Sequence, residues 1–168
     1  MLPELHQHEQ YFFTRETSRA LAAALATFTH PCLLCAPTVG LELAHIAHPC
    51  RVLDIDTRFS SVPGFNHWNL YRPQFLDESF GAIFCDPPFF NASLSQLFTA
   101  IRTLTRFRFD HPLAITYLTR RGTAITSTFA PFNVQPTGYF PTYQTVDTSG
   151  RTAIEVFANF PSPLWPSA

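Results

Sequence analysis

The motif Asp86-Pro87-Pro88-Phe89 places an acid, two prolines and an aromatic ring next to one another. It follows the apolar run 80–85, which we predict to be a strand. Because proline has no N–H to donate to a sheet, the chain must leave this strand in a rigid turn. Open α/β folds bind ligands at this carboxyl edge of the sheet. A carboxylate, backbone carbonyls and a ring at this edge would accept hydrogen bonds from a planar amino group and stack on the ring that carries it.

Apolar strand patterns alternate with helical patterns on both sides of this motif. The predicted helices are 14–28, with Thr14 as the N-cap, 37–47, 93–107 and 120–129. The predicted strands are 32–36, 51–56, 65–70, 80–85 and 112–118, followed by a closing hairpin of 132–140 with 152–160. This alternation predicts an α/β fold with a mostly parallel, doubly wound sheet, to which the C-terminal hairpin adds an antiparallel pair.

These motifs resemble one family of enzymes. Asp-Pro-Pro-Phe after a hydrophobic strand is similar to motif IV of the S-adenosylmethionine-dependent amino-methyltransferases. Further segments occur in the same order in the probable N6-adenine methyltransferases, a family that includes elongation-factor 1A lysine methyltransferases and relatives of the zinc-knuckle ribosomal-RNA adenine methyltransferase. The segments are Gln10-Tyr11-Phe12-Phe13-Thr14, the run 52–59, and Tyr139-Phe140-Pro141-Thr142-Tyr143 with the run 152–157. The resemblance spans roughly residues 10–160 and implies a class I methyltransferase (Rossmann-like) fold with S-adenosylmethionine as cofactor.

The resemblance implies a role for each residue of motif IV. Asp86 and the carbonyl of Pro87 would accept the two hydrogens of the amino group and turn the nitrogen lone pair toward the methyl group. Pro88 would keep the turn rigid, and Phe89 would stack on the target. Most of the rate would come from alignment of the reacting atoms. The alternative is an ordinary strand-to-turn Asp-Pro-Pro.

The cofactor residues are expected after the first three strands. Class I methyltransferases usually have a Gly-x-Gly turn after the first strand, because the backbone must approach the cofactor closely. The turn here is Cys35-Ala36-Pro37-Thr38-Val39-Gly40, whose single glycine comes late. We predict that Ala36, Pro37 and Thr38 border the cofactor. Asp56, at the end of the second strand, would accept hydrogen bonds from the ribose hydroxyls, with Asp54 as the substitute candidate.

Other residues have two interpretations each. Asn69 matches the position that contacts the cofactor adenine. For Asp54 and Asp56, the alternative to cofactor binding is capping of a turn or helix. Phe12 and Phe13 would form part of the substrate pocket, or they fasten the first helix to the core as a hydrophobic staple. Phe90 would offer a second stacking face, although we favour core packing for it. Five arginines near helix and strand ends could meet a phosphate backbone, although the helix dipole alone accounts for such positions. They are Arg102, Arg106, Arg108, Arg120 and Arg121.

The composition indicates one compact domain over residues 1–168, with its core at about 10–160 and a flexible tail at 161–168. The chain is 46% hydrophobic and has 18 phenylalanines, which supply a substantial core. Its net charge of -1 argues against a broad phosphate-binding surface. We find no transmembrane run and no signal peptide, so we expect no membrane association and a cytoplasmic location, with the nucleus not excluded.

The four cysteines are expected to be reduced, buried and structural, and no metal site is predicted. Cys32-x-x-Cys35 has the spacing of a zinc ligand pair, with His45, His48 and Cys50 nearby in sequence. Cys32 and Cys35 fall in a predicted strand, where residues three apart face opposite ways. A zinc knuckle needs a turn there, and the sequence has no second Cys-x-x-Cys.

Three functions remain open. The first, which we favour, is methylation of adenine N6 in RNA or DNA. The second is methylation of lysine in a protein, which uses the same pocket chemistry. The third is a binding module that kept the methyltransferase fold, for which the missing glycine turn is the only support. A chain this short has no obvious target-recognition domain, so an accessory partner could supply that surface.

Overall fold

The computed structural model describes residues 2–166 and contains one seven-stranded sheet. Its strands are β1 (Cys32–Leu34), β2 (Arg51–Asp54), β3 (Phe65–His67), β4 (Ile83–Cys85), β5 (Leu113–Leu118), β6 (Gln135–Pro136) and β7 (Ile154–Ala158). The order across the sheet is β3-β2-β1-β4-β5-β7-β6. Strands β1 to β5 are parallel, and β7 runs antiparallel between β5 and β6. The predicted α/β class, parallel sheet and antiparallel C-terminal pair are confirmed.

Four α-helices connect the strands. They are α1 (Arg15–Leu25), α2 (Pro37–His45), α3 (Leu94–Leu104) and α4 (Gly122–Thr128). The Thr14 hydroxyl caps α1 by accepting from the Thr17 N–H at 3.3 Å, as predicted. Ser93 and Gln96 form a capping box at the start of α3. Short 3₁₀ turns lie at His6–His8, Thr57–Phe59, Thr119–Arg121, Ala130–Phe132 and Gly150–Thr152.

Most strands are shorter than predicted, and β2 shows why. It ends at Asp54 rather than Asp56, because the Asp54 side chain accepts a hydrogen bond from the Asp56 N–H at 2.8 Å and turns the chain. Asp56 then caps the following 3₁₀ turn. Strand β4 begins at Ile83 rather than Phe80, because Gly81 lies against the backbone of Thr29 and its N–H bonds there at 2.9 Å.

The hairpin is also shorter than predicted. Phe132 belongs to a 3₁₀ turn, and of the predicted strand 132–140 only Gln135 and Pro136 form a strand, β6, that pairs with β7. The chain between β6 and β7 extends back to α1, where the Thr14 N–H donates to the Thr142 carbonyl at 2.9 Å. This return places Tyr143 against Phe13 as an isolated bridge, so a residue far along the sequence reaches the centre of the molecule.

The late glycine of the first turn lies at a packing contact. A Cβ at Gly40 would lie 2.4 Å from Cγ2 of Val52, which is buried on β2. Helix α2 can therefore lie close to β2 only if this position is glycine. Gly40 serves the packing of helix on strand rather than an approach to a ligand.

The cysteines and the tail complete the fold. Cys32, Cys50 and Cys85 are buried free thiols, and burial raises the pKa of each. Among residues 2–166 no group of three or more metal-ligating side chains occurs. Trp165 is buried, with its ring against Phe160, so the predicted flexible tail is docked at this point, and residues 167–168 of that prediction lie outside the described part. No described helix is long and apolar enough to cross a membrane.

Candidate active site

A cavity of about 520 Å³ opens at the carboxyl ends of β1, β2 and β4. Between β1 and β4 the strand order reverses, which is where open α/β sheets bind ligands. Its volume is that of a small-molecule pocket. The lining residues are Leu5, His8, Glu9, Gln10, Tyr11, Phe12, Cys35, Pro37, Asp54, Ile55, Asp56, Thr57, Trp68, Asn69, Leu70, Tyr71, Asp86, Pro87, Pro88, Phe89, Asn91 and Tyr143.

The cavity collects nine of the residues predicted for the site. They are Asp86, Pro87, Pro88, Phe89, Asp54, Asp56, Asn69, Pro37 and Phe12. The other four predicted residues lie outside its lining. Ala36 is buried as the N-cap of α2, and Thr38 accepts a hydrogen bond from the Ser18 hydroxyl at 3.2 Å. Phe13 is buried against Phe84. Phe90 is 71% exposed, so the core packing that we favoured for it is wrong.

Asp86 is held by two hydroxyl groups on one of its oxygens. Its Oδ1 accepts from the Tyr143 hydroxyl at 2.8 Å and also from the Thr116 hydroxyl. No described residue forms a hydrogen bond to Oδ2, the second oxygen of Asp86. Burial raises the pKa of Asp86 to about 7, and the negative charge of Asp54 adds to the rise, while the two hydroxyl hydrogen bonds lower it. The carboxyl group can therefore gain or lose a proton near neutral pH.

The backbone of motif IV leaves further acceptors free. The Asp86 N–H donates to the Leu34 carbonyl at 3.1 Å, which ties the turn to β1. The Pro88 carbonyl accepts from the Ala92 N–H at 3.0 Å, whereas the Pro87 carbonyl accepts no hydrogen bond from the described residues. Phe89 is half-buried and stands edge-on to Tyr117, with ring centroids 5.9 Å apart.

Asp54 and Asp56 both line the cavity but differ in their partners. The Asp56 carboxylate binds the Arg58 guanidinium, with the shortest contact at 2.6 Å, and accepts from the Gln10 amide at 2.8 Å. The hydrogen bonds from Arg58 lower the pKa of Asp56 to about 2. Burial raises the pKa of Asp54 to about 6, and only Oδ1 of Asp54 has a partner among the described residues, the Asp56 N–H. Asp54 is therefore the carboxylate with an oxygen free for a ligand.

In the turn after β1, a residue other than glycine adopts the left-handed conformation that glycine usually supplies. Cys35 lines the cavity with a φ of 58°, a left-handed conformation that glycine usually supplies. The Cys35 N–H donates to the Leu53 carbonyl at 2.9 Å, which holds this conformation. Together with the packing role of Gly40, this conformation explains how the chain dispenses with Gly-x-Gly.

The N-terminal segment 5–12 contributes six residues to the cavity lining, a position that was predicted for Phe12. The Glu9 carboxylate accepts from the Phe90 N–H at 2.9 Å, which joins the segment to motif IV. The Gln10 amide bonds to Asp56, and the Glu4 carboxylate accepts from the Phe12 N–H at 2.7 Å. These contacts hold the N-terminal segment as one wall of the cavity.

Tyr143 is the most informative residue that we did not assign. It belongs to the quoted Tyr139–Tyr143 motif, which was the available signal, but its partner Asp86 is 57 residues away in sequence. Trp68 and Tyr71 were also not assigned to the site. Trp68 lines the cavity with its indole N–H bonded to the Gln74 carbonyl at 3.1 Å. Asn69 lies between them, and its side chain accepts from the Tyr71 N–H at 2.9 Å.

The charge of the cavity selects the kind of ligand that fits. Four acidic side chains line it, from Glu9, Asp54, Asp56 and Asp86, of which Asp56 is already paired with Arg58. A ligand that carries positive charge and hydroxyl donors is complementary to such a lining. The sulfonium and ribose hydroxyls of S-adenosylmethionine have these properties, so the residues present fit this cofactor.

Comparison with solved structures agrees on the class of protein. Magnesium protoporphyrin IX methyltransferase from Synechocystis PCC 6803, crystallised with bound SAM, has a TM-score of 0.58 at 13% identity over 86% of this chain and 77% of that chain. A TehB-like SAM-dependent methyltransferase from Corynebacterium glutamicum has a TM-score of 0.51 at 13% identity over 86% and 88%. The fold is therefore that of the class I methyltransferases.

The family follows from the sequence comparison. A model described as "Probable N6-adenine methyltransferase" matches residues 4–162, so the chain belongs to this family and is an S-adenosylmethionine-dependent methyltransferase. A search of curated proteins gave no match.

Proposed function

We propose that this chain methylates an amino nitrogen and that the acceptor is N6 of adenine in RNA or DNA. The observation that carries the proposal is the state of Asp86. One of its oxygens is fixed by Tyr143 and Thr116, and the other accepts no hydrogen bond from the described residues, at a rigid turn beside an aromatic ring. This arrangement supports binding of a planar amino group.

Different residues of the cavity bind the amino group, stack on the base and accept the proton. Bound S-adenosylmethionine would supply an electrophilic methyl group and would depart as S-adenosylhomocysteine, because the bond between its sulfur and the methyl carbon breaks as the methyl group is transferred. The free oxygen of Asp86 and the Pro87 carbonyl accept the two amino hydrogens, which leaves the nitrogen lone pair as the remaining direction for bond formation. Phe89 stacks on the base, a contact worth about 1–3 kcal/mol. As the nitrogen forms its bond to the methyl carbon it becomes acidic and loses a proton, which Asp86 can accept because its pKa of about 7 lies near neutral pH.

The cofactor is held on the β2 side of the cavity. Asp54 has a carboxylate oxygen free for the ribose hydroxyls, whereas the oxygens of Asp56 are occupied by Arg58 and Gln10. We therefore assign the ribose contact to Asp54, with Asp56 holding the wall of the cavity. Asn69 lies at the same edge for the cofactor adenine.

Protein lysine is the second candidate acceptor. The lining contains four carboxylates and no arginine, which also attracts an ammonium group. A lysine must lose its proton before it can react, and Asp86 could take that proton. The same pocket is thus consistent with either acceptor.

The test is a transfer assay with methyl-labelled S-adenosylmethionine. Adenine-containing RNA, single-stranded DNA and a lysine-bearing protein serve as acceptors, and mass spectrometry distinguishes N6-methyladenine from methyl-lysine. We expect N6-methyladenine, with a loss on the order of 100-fold in Asp86→Asn. Asp110→Asn is the matched control, because Asp110 is exposed and far along the chain from motif IV.

Other outcomes separate the alternatives. Methyl-lysine as the product would replace adenine by the second candidate. Cofactor binding without transfer to any acceptor would point to a missing accessory partner. A chain that binds no S-adenosylmethionine would be a non-catalytic module, and the proposal would be wrong.

A further inference from the structure

Three exposed arginines lie together beside motif IV. Arg120 and Arg121 belong to the 3₁₀ turn after β5, and Arg151 belongs to the turn that precedes β7. The two turns contact each other, because the Thr119 N–H donates to the Ala153 carbonyl at 2.9 Å. We call Arg120, Arg121 and Arg151 the arginine patch.

Most of the other arginines have an acidic partner, whereas the patch arginines, like Arg72 and Arg102, have none within residues 2–166. Six of the eleven arginines pair with a carboxylate within residues 2–166: Arg15, Arg19, Arg51, Arg58, Arg106 and Arg108. No such pair involves the patch in this part of the chain. The nearby Asp147 carboxylate instead accepts from the Ser149 N–H and hydroxyl, each at 3.0 Å. Within residues 2–166, therefore, no carboxylate lies within salt-bridge distance of the patch.

A short series of contacts joins the patch to motif IV. Arg121 donates to the Tyr117 hydroxyl at 3.0 Å, and its guanidinium carbon lies 5.6 Å from the centre of that ring. The Tyr117 ring in turn contacts the Phe89 ring. Because β4 and β5 are parallel neighbours, their carboxyl ends bring the patch and the catalytic turn to the same edge of the sheet.

The charges of the cavity and the patch are opposite. The cavity is lined by four carboxylates, whereas the patch beside it carries three guanidinium groups. A guanidinium binds the oxygens of a phosphate in a bidentate manner. A basic peptide that carries a target lysine would be repelled by the patch, whereas a phosphate chain would be attracted by it.

We propose that Arg120, Arg121 and Arg151 bind the phosphates of a single-stranded nucleic acid whose target base enters the cavity beside Phe89. This inference rests on the proposed function, since it assumes that the acceptor is a nucleobase. The strand must be single or locally opened, because a base within a duplex cannot reach Asp86. Phe90, which is exposed next to motif IV, offers a face for a neighbouring base.

The test measures binding without any methyl transfer. Fluorescein-labelled 16-nucleotide single strands of RNA and of DNA, each containing adenine, are titrated with the full chain at salt concentrations from 50 to 200 mM. The patch variant is Arg120→Gln/Arg121→Gln/Arg151→Gln. The charge-matched control is Arg15→Gln/Arg19→Gln/Arg108→Gln, which also removes three positive charges but leaves the patch intact. Calorimetric titration with S-adenosylmethionine checks that each variant is folded.

We expect the patch variant to lose salt sensitivity as well as affinity. Three phosphate contacts contribute about 2 to the slope of log K against log salt, so the wild-type affinity should fall about 20-fold more than the variant affinity across this range. The control should keep the wild-type slope. Tighter binding of RNA than of DNA, or the reverse, would show whether ribose or deoxyribose is preferred. Either result supports the phosphate contact if the affinity depends on the patch.

Two results would overturn the inference. One is a wild-type chain that binds neither strand. The other is a patch variant, still able to bind S-adenosylmethionine, with the wild-type slope or with no larger loss than the control. Binding that depends on the patch, combined with methyl transfer to lysine and not to adenine, would support the patch and refute the proposed acceptor, so the two failures are distinguishable.

Discussion

Substitution of Tyr143 by phenylalanine isolates one hydrogen bond of the Asp86 carboxyl group, to which the proposed function gives the catalytic role. The Tyr143 hydroxyl donates to Oδ1 of Asp86 at 2.8 Å, and the ring packs on Phe13 with centroids 4.8 Å apart. Phenylalanine keeps the ring and removes only the donor. Because this hydrogen bond favours the ionised carboxylate, its loss should raise the pKa of Asp86 further.

The size of the effect follows from the strength of such a bond. A hydrogen bond to a charged group contributes about 1.5–3 kcal/mol, and one pKa unit corresponds to about 1.4 kcal/mol. The pKa of Asp86 should therefore rise from about 7 to about 8–9. At pH 7.5 the ionised fraction would fall from about three quarters to between about 25% and 3%. Since the ionised form accepts the amino hydrogens, the rate should fall by about 3- to 25-fold at this pH.

The assay is the pH dependence of kcat/KM for methyl transfer between pH 6 and 10. The Tyr143→Phe profile should shift to higher pH and approach the wild-type rate at its alkaline end. Tyr139→Phe is the matched control, since Tyr139 makes no contact with Asp86 and should keep the wild-type midpoint. An unshifted midpoint in Tyr143→Phe, or a loss that persists at high pH, would refute the role assigned to this hydrogen bond.

Three further predictions concern stability and cofactor binding. Folding raises the pKa of Asp86 from 3.8 to about 7, so wild type loses stability as the pH rises through this range. At pH 8 the free energy of unfolding of Asp86→Asn should therefore exceed that of wild type by up to about 4 kcal/mol, with no such gain at pH 4, as denaturant titration can check. Calorimetry should show S-adenosylmethionine binding to wild type weakening as pH falls through about 6, the pKa of Asp54, whereas Asp54→Asn should bind weakly at every pH. Gly40→Ala should lower the free energy of unfolding by about 1–3 kcal/mol, because the new methyl group overpacks against Val52. Adding Val52→Ala should recover part of that loss, whereas additive losses in the double variant would contradict the contact.

The succession of strands and helices along the chain and the position of motif IV could be predicted because they depend on local patterns. The apolar runs 51–56 and 80–85 indicate strands, although β2 ends earlier than predicted, at Asp54, and Thr14 and Ser93 indicate the starts of helices. The carboxyl ends of parallel strands meet at one edge, so the joint position of Asp86 and Asp54 followed from topology alone.

The remaining features depend on contacts between distant parts of the chain. Gln10 reaches Asp56 across 46 residues, and Tyr143 reaches Asp86 across 57. Periodic patterns in the sequence do not predict contacts between residues so far apart. Pairing with Arg58 also changed the interpretation of Asp56, because sequence spacing gives the position of a carboxylate but not whether its oxygens are already occupied.

The pKa of Asp86 depends on two opposed influences, and the proposed chemistry needs both. Burial and the charge of Asp54 raise it, so the carboxylate is a stronger proton acceptor than an exposed aspartate. The Tyr143 and Thr116 hydroxyls lower it, so a useful fraction is still ionised at neutral pH. Without burial Asp86 would be a weak acceptor for the proton that the amine releases, and without the hydroxyls it would be protonated before the substrate arrived. Tyr143 and Thr116 therefore contribute to the proposed chemistry by setting the pKa of the carboxyl group that the motif carries.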